Sequence, residues 1–193
     1  IISDLAEREP VDTVVIGSSH RGTLGRALLG SVGRGVLNGA PVPVAVAPRG
    51  YAEQGHGPLG LIAVAFDGTP ESKQALNRAR ELAEAHRATV RVLTVVAPPV
   101  ALPGIVGYTP VNPPEPENVL EEGVKSIEAR VTVEGRQLSG PPAETLADAC
   151  EDGVDLLVAG SRGYGPLTRV MLGSVAAKLI DLSPCPVLVV PRP

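Results

Sequence analysis

Aromatic side chains are almost absent from this sequence, which has one Phe, three Tyr and no Trp in 193 residues. Its core must therefore consist of Val, Leu, Ile and Ala, which suits strands that are buried on both faces of a sheet. The scarcity of aromatics also disfavours stacking on single-stranded nucleic acid. Seventeen basic residues against twenty-one acidic ones give a net charge of −4 without a basic block, so we expect no nucleic-acid partner.

Long apolar runs and paired cysteines are lacking as well. No stretch of about eighteen apolar residues is present, and the opening residues IISDLAEREP do not resemble a signal peptide. We therefore expect a soluble, cytoplasmic protein without a membrane partner. Cys150 and Cys185 have no CxxC spacing and are interpreted as buried thiols in a reducing compartment. His20, His56 and His86 share no ligand spacing, so we expect no metal site.

The sequence contains an internal repeat. Residues 11–50 align without a gap on residues 154–193 and share eighteen identities in forty positions, whereas ordinary residue frequencies would give about three. Each copy reads as an apolar strand, a glycine-containing loop, a helix, a turn with two prolines and a closing strand. The helices are predicted at Ser31–Leu37 and Ser174–Leu182, and each begins at a Gly-Ser pair where serine would be a good N-cap.

The second copy is preceded by further strands and helices, and the first is not. Strands are predicted at 61–66, 89–96 and 131–138, and helices at 71–86, 118–129 and 142–151, with a proline-rich stretch at 98–117. Strands alternating with helices predict an α/β fold, a doubly wound parallel five-stranded sheet with helices on both faces. We therefore divide the chain into the C-terminal part of a first domain (1–50), a linker (51–58) and a complete domain (59–193).

A glycine pattern marks the candidate site in the complete domain. Gly160 and Gly163 follow a buried strand, and nine residues later Gly173-Ser174 stands at a helix start. Backbone N–H groups and the positive end of a helix attract anions, and glycines let phosphate oxygens approach the main chain. The arrangement therefore predicts a phosphate-binding loop. The first copy keeps Gly17 and Gly30-Ser31 but has His20 in place of the middle glycine, so its site is expected to be incomplete.

The spacing G-x2-G-x9-G-[ST] resembles the ATP-binding signature of the universal stress protein family, and residues 59–193 follow that family's strand–helix order. The resemblance implies an adenine nucleotide alpha hydrolase-like fold, ATP as the ligand with or without Mg²⁺, and a regulatory or stress-survival role. It also implies that Asp67 lies near the adenosine and that Val95 lines the adenine. The phosphate loop would comprise Gly160, Ser161, Arg162, Gly163, Gly173, Ser174 and Val175.

Two alternatives remain open. The glycines and Asp67 could shape turns in a nucleotide-free, dimerising interaction module of the same fold. The chain could also be an adenine-nucleotide enzyme of related architecture, such as a synthetase or an electron-transfer flavoprotein subunit. The sequence lacks GxxxxGK[ST] and GxSxG motifs and offers no nucleophile and base pair, so we expect no catalytic residues and at most very slow ATP hydrolysis.

The closing strands are the predicted site of association. Both are short, apolar and flanked by prolines, and an apolar strand at a sheet edge invites pairing with another edge. The family resemblance implies the same. We expect the second closing strand to pair with the first within the chain or with another copy in a homo-oligomer, through Val187, Leu188, Val189 and Val190.

Overall fold

A computed structural model describes residues 2–18, 29–38, 40–55, 57–96, 116–161 and 172–191. Within these residues one sheet of seven strands runs through the molecule, in the order β1-β2-β7-β6-β3-β4-β5. The strands are Val14–Gly17 (β1), Val44–Ala47 (β2), Leu61–Ala65 (β3), Thr89–Val96 (β4), Val133–Ser139 (β5), Leu156–Gly160 (β6) and Val187–Val190 (β7). The helices are Ile2–Arg8 (α1), Ser31–Leu37 (α2), Pro70–His86 (α3), Pro116–Ile127 (α4), Pro142–Ala149 (α5) and Ser174–Leu182 (α6).

Five neighbouring strands, β7-β6-β3-β4-β5, are parallel throughout. Helices α5 and α6 cover one face of this sheet, where the buried core includes Leu93, Leu157 and Leu179. Helices α3 and α4 cover the other face, whose core includes Ile62 and Val64. The predicted doubly wound five-stranded sheet with an aliphatic core is therefore confirmed.

The two sequence copies form the same strand–helix–strand unit. In the first unit the Val14 N–H donates to the Pro43 carbonyl at 2.9 Å, and in the second the equivalent Leu157 N–H donates to the equivalent Pro186 carbonyl at 2.9 Å. Each unit pairs its own two strands in parallel. The segment before Leu61 contains a short 3₁₀ helix, Ala52–Gln54.

An antiparallel pair joins the two units. Val44, Ala45 and Val46 of β2 stand opposite Val189, Leu188 and Val187 of β7. Each closing strand thereby covers the other's outer edge, as edge protection requires. The expected pairing of closing strands is present within this chain.

Two local differences from the sequence expectation have clear causes. Helix α1 was not predicted, because its seven residues stand alone at the start of the sequence, without a preceding turn signal. Strand β5 begins at Val133 rather than at residue 131, because the Arg130 and Val131 N–H groups still donate to the Ile127 carbonyl at the end of α4. The chain therefore becomes extended only after this turn.

Candidate functional site

A crevice of about 230 Å³ opens at the carboxyl ends of β3 and β6. The chain proceeds from β3 to β4 and β5 on one side, then returns to place β6 and β7 on the other. Ligands of open parallel sheets bind at such a switch point, beyond the carboxyl ends of the strands. The crevice is lined by residues at the ends of three strands and from three helices, among them Asp67, Thr69, Ser72, Val95, Leu146, Gly160, Gly173, Val175 and Leu179.

Asp67 lies at the mouth of the crevice in the turn after β3. Its Oδ1 atom accepts hydrogen bonds from the Thr69 backbone N–H at 3.2 Å and from the Thr69 hydroxyl at 2.5 Å. Gly68 between them has φ +77°, a conformation that favours glycine. Asp67 therefore shapes the turn, as Asp commonly does, while its exposed side chain also borders the crevice.

The N-terminus of α3 is capped by side chains of its own first turn. Thr69 is the N-cap, Pro70 is the first helical residue, and the Ser72 N–H donates to Thr69 Oγ1 at 3.3 Å. The Ser72 hydroxyl in turn donates to the Thr69 carbonyl at 3.0 Å. Sequence reasoning overlooked Thr69 and Ser72 as lining residues. The segment TPES, with a capping threonine before a proline, was the signal that could have identified them.

Val95 forms part of an apolar wall opposite this turn. It is half-buried near the end of β4, and the wall continues through Pro142 and Leu146 of α5 and Leu179 of α6. A ligand that buries apolar area against this wall gains about 25 cal/mol per Å². Val95 therefore contributes to an apolar surface of the crevice. The α5 and α6 residues were not predicted, since their spacing indicates only core packing.

Gly160 lines the crevice, but packing also explains its lack of a side chain. A Cβ atom at this position would lie 2.6 Å from the Glu71 carbonyl oxygen in the first turn of α3. The neighbouring Ser161, which the sequence predicts in the phosphate loop, is bonded to the sheet through its backbone. Its N–H donates to the Val190 carbonyl at 2.9 Å and its side chain is buried. The Ser161 amide is thus occupied by the sheet and is not available to a phosphate.

The start of α6 differs from the expected serine cap. Gly173 is the N-cap in an extended conformation, Ser174 is the first helical residue, and the N-cap, being glycine, has no side chain to cap the helix. Gly30 caps α2 in the same way. The first N–H groups of a helix have no partner within it and carry the positive end of the helix dipole. Gly173 and Val175 line the crevice, while Ser174 is exposed beside it.

Several expected residues lie outside the described part of the chain, namely Arg162, Gly163, His20 and His56. His86 is described and is exposed at the end of α3. In the described residues, no three His, Cys, Asp or Glu side chains converge as a metal site would require. The same residues contain no helix that is long and apolar enough to cross a membrane.

The two cysteines are buried thiols, as expected, and lie at the amino ends of the strands, away from the crevice. A hydrogen bond between them raises the pKa of Cys150 far above its ordinary value, and burial adds to this. The same interaction lowers the pKa of Cys185, whose sulfur also lies 3.4 Å from the Ser183 hydroxyl. Both cysteines are part of the buried core between the sheet and helices α5 and α6.

A doubly wound parallel sheet with a crevice at its switch point places the chain in the class of open α/β proteins, whose ligands bind at such a point. The sequence model of the universal stress protein family matches residues 1–48 and 60–191. The chain belongs to the universal stress protein family.

Relatives of two lengths match the chain. A Bacillus subtilis universal stress protein is 39% identical over 142 residues, covering 66% of this chain and 95% of that protein. A Mycobacterium tuberculosis universal stress protein is 30% identical over 204 residues, covering 97% of this chain and 67% of that protein. A second one from M. tuberculosis is 35% identical over 188 residues, with 92% and 61% covered. The chain therefore spans about two thirds of the longer relatives.

Solved structures show the same fold. The structure of a universal stress protein from Archaeoglobus fulgidus superposes with a TM-score of 0.76 at 24% identity, covering 98% of this chain and 66% of that one. A universal stress protein solved in complex with cAMP has a TM-score of 0.53 at 26% identity, with 69% and 98% covered. That neighbour binds a nucleotide.

Proposed function

We propose that residues 59–193 bind ATP or a related adenine nucleotide in the crevice between β3 and β6, and that the bound nucleotide has a regulatory or stress-survival role. The observation that carries the proposal is that the predicted site residues lie around one cavity. Asp67, Val95, Gly160 and Gly173 come from four separate parts of the chain and border one cavity. We further propose a cytoplasmic location and a division of the chain at residues 51–58.

The chemistry of the crevice suits the three parts of a nucleotide in order. The apolar wall at Val95 and Leu146 provides a surface for the base. The Asp67 carboxylate, held by Thr69, accepts hydrogen bonds and so suits the sugar hydroxyls. The uncapped start of α6 at Gly173 presents N–H groups to phosphate oxygens. A Mg²⁺ ion would be bound chiefly through the phosphates of the nucleotide itself.

A binding role agrees better with the lining residues than a fast reaction does. Fast phosphoryl transfer usually requires a positioned cation and a group that orients the attacking water. The described lining residues include Asp67 and Glu71 but neither lysine nor histidine. We therefore propose that the turnover of bound ATP stays below about 1 s⁻¹, the lower end of ordinary enzyme rates.

Calorimetric titration of the 193-residue chain with ATP tests this proposal. We expect saturable binding, and Asp67→Ala should weaken it by at least about tenfold, which corresponds to the loss of one hydrogen bond to a charged group. Asp67→Asn keeps an oxygen for the Thr69 turn but removes the charge, so it separates loss of the turn from loss of the carboxylate. Asp148→Ala, an exposed acid on α5 outside the crevice, is the matched control.

Two results would contradict the proposal. If titration with millimolar ATP releases no binding heat, the chain does not bind ATP. If the Asp67 and Asp148 variants bind ATP with equal affinity, ATP binds outside the crevice. Parallel titrations with AMP and cAMP show whether the extended triphosphate contributes. Tighter binding of cAMP than of ATP would replace ATP with a cyclic nucleotide as the ligand.

A further inference from the structure

Two cysteines from distant parts of the sequence meet at the end of the sheet that lies opposite the crevice. Cys150 ends α5 and is 3% exposed, and Cys185 precedes β7 and is 6% exposed. Their thiol groups share a hydrogen bond. Two sulfur atoms in direct contact are the geometric precondition for a disulfide. The function proposed above makes no use of this pair.

Both cysteines adjoin exposed turns. Cys150 is followed by the exposed residues Glu151, Asp152 and Gly153, and Cys185 follows the exposed Pro184. These turns lead into the amino ends of β6 and β7, whereas the crevice lies at the carboxyl ends of the strands. A small oxidant can therefore approach the pair without entering the crevice.

Cys185 has the surroundings of a reactive thiol. The Ser183 hydroxyl donates to the Cys185 carbonyl at 3.0 Å and lies 3.4 Å from the Cys185 sulfur, so it fixes this residue in the turn. The hydrogen bond with Cys150 lowers the pKa of Cys185, and the Ser183 hydroxyl lowers it further against the opposing effect of burial. A thiolate, and not a thiol, is the nucleophile in cysteine chemistry. Cys185 is therefore the member of the pair that reacts first.

Cys150 has the surroundings of a second, resolving thiol. Its hydrogen bond with Cys185 raises its pKa, so it keeps its proton, and its sulfur donates to the Leu146 carbonyl at 3.2 Å. Oxidation of Cys185 removes the negative charge that holds this proton. The buried guanidinium of Arg91, which is 7% exposed, acts in the opposite direction and lowers the pKa of Cys150. Cys150 therefore becomes easier to ionise once Cys185 has reacted.

We infer that Cys150 and Cys185 form a dithiol site that hydrogen peroxide or a similarly small hydroperoxide oxidises to a disulfide within the chain. The burial of both sulfurs excludes larger oxidants. In a reducing compartment such a disulfide is transient, and thiol reductants return it to the dithiol.

The reaction has two steps. The Cys185 thiolate attacks one oxygen atom of hydrogen peroxide, the O–O bond breaks, and the other oxygen takes up a proton and leaves as water. The product is a sulfenic acid at Cys185, which condenses with a neighbouring thiol. The Cys150 sulfur then bonds to the Cys185 sulfur, the S–O bond breaks, and the hydroxyl leaves as water with the Cys150 proton. The two thiols lose two electrons, which reduce the peroxide.

Peptide mapping of the 193-residue chain tests the inference. The reduced chain is treated with millimolar hydrogen peroxide without nucleotide, alkylated and digested with trypsin. We expect residues 137–162 joined to residues 179–193, with a mass two hydrogen atoms below the sum of the separate peptides and with release by a thiol reductant. Two freely alkylated cysteines after peroxide treatment would overturn the inference. So would a disulfide that joins two chains.

Alanine variants test the order of reaction. Cys150→Ala should accumulate a sulfenic acid at Cys185, which dimedone traps, because the resolving thiol is missing. Cys185→Ala should form sulfenic acid at Cys150 at least about tenfold more slowly, because that thiol keeps its proton. Equal rates, or a faster reaction at Cys150, would overturn the inference. Thermal unfolding checks that each variant is folded, and serine replaces alanine at a position where it is not.

The same two variants in urea are the matched control. Unfolding removes the hydrogen bond and the burial that distinguish the cysteines, so their rates should agree within about twofold at the ordinary thiol pKa. If the tenfold difference persisted in urea, it would come from the local sequence and not from the folded pair, and the inference would be wrong.

Discussion

The two strand–helix–strand units share their backbone pattern but not their surroundings. The closing strands β2 and β7 cover each other, so Val44 and Val189 are equally buried at 0%. The opening strands differ, because β6 lies between β7 and β3 while β1, in the part of the chain that the structure describes, has a neighbour on one side only. The comparison teaches that the burial of an apolar strand is set by what packs on it and not by its own residues.

The helices of the two units differ in sequence as well. Helix α2 has Gly33 and Gly35 at positions where α6 has Ala176 and Lys178, and it has seven residues where α6 has nine. Glycine within a helix costs about 1 kcal/mol relative to alanine. We therefore expect the first unit to be the less stable of the two, both in its helix and in its open strand.

The largest contrast is expected at the paired glycines. Gly160→Ala places a methyl group 2.6 Å from the Glu71 carbonyl oxygen, a backbone atom that cannot move aside without shifting α3. We expect it to lower the free energy of unfolding by about 3 kcal/mol, the upper part of the range for overpacking. Gly17→Ala meets no atom of the described residues within 4 Å and should change this free energy by less than about 0.5 kcal/mol. Urea denaturation measures both.

This pair also tests whether the two units unfold together. If Gly17→Ala destabilised the protein as much as Gly160→Ala does, the space beside β1 would be filled in solution. A change in the urea m-value in only one variant would indicate loss of cooperativity.

The second contrast removes apolar side chains at equivalent positions. Val158→Ala deletes two methyl groups from a fully buried site and should cost about 2 kcal/mol, from lost transfer energy and a residual cavity. Val15→Ala should cost less than about 0.5 kcal/mol, because Val15 is 71% exposed. Thermal unfolding of both variants provides the measurement. Equal shifts in Tm would contradict the difference in burial.

The sequence predicted most of the fold because its signals were strong. Apolar runs as short as Val187–Val190 stand between prolines and glycines, and the repeat identified the strand–helix–strand units without an outside reference. Strand order and the antiparallel β2–β7 pair depend on contacts between residues that are distant in sequence. A periodic pattern could therefore suggest that these strands pair, but it could not determine the register of the pair.

The candidate site was predicted in part. Asp67, Val95, Gly160, Gly173 and Val175 do border one crevice. The sequence could not show that the Ser161 amide is bonded to β7, since that requires the pairing of β6 with β7. Nor could it show that Gly160 contacts α3, because the helix lies some ninety residues earlier in the sequence.

The smallest contrast concerns the helix of the first unit. Gly35 lies inside α2, its φ is not in the positive range, and an added Cβ would meet no atom of the described residues within 4 Å. Gly35→Ala should therefore raise the free energy of unfolding by about 0.5–1 kcal/mol, through a smaller entropy loss of the backbone on folding. The control is Gly33→Ala, whose Cβ would lie 2.7 Å from Leu29 Cδ2 and which should gain less, because Leu29 must move. Urea denaturation at one temperature ranks the two variants. If neither alanine variant has a higher free energy of unfolding, α2 is not part of the cooperative unit that unfolds in urea. Amide exchange at individual residues would then compare the stability of the first unit with that of the second.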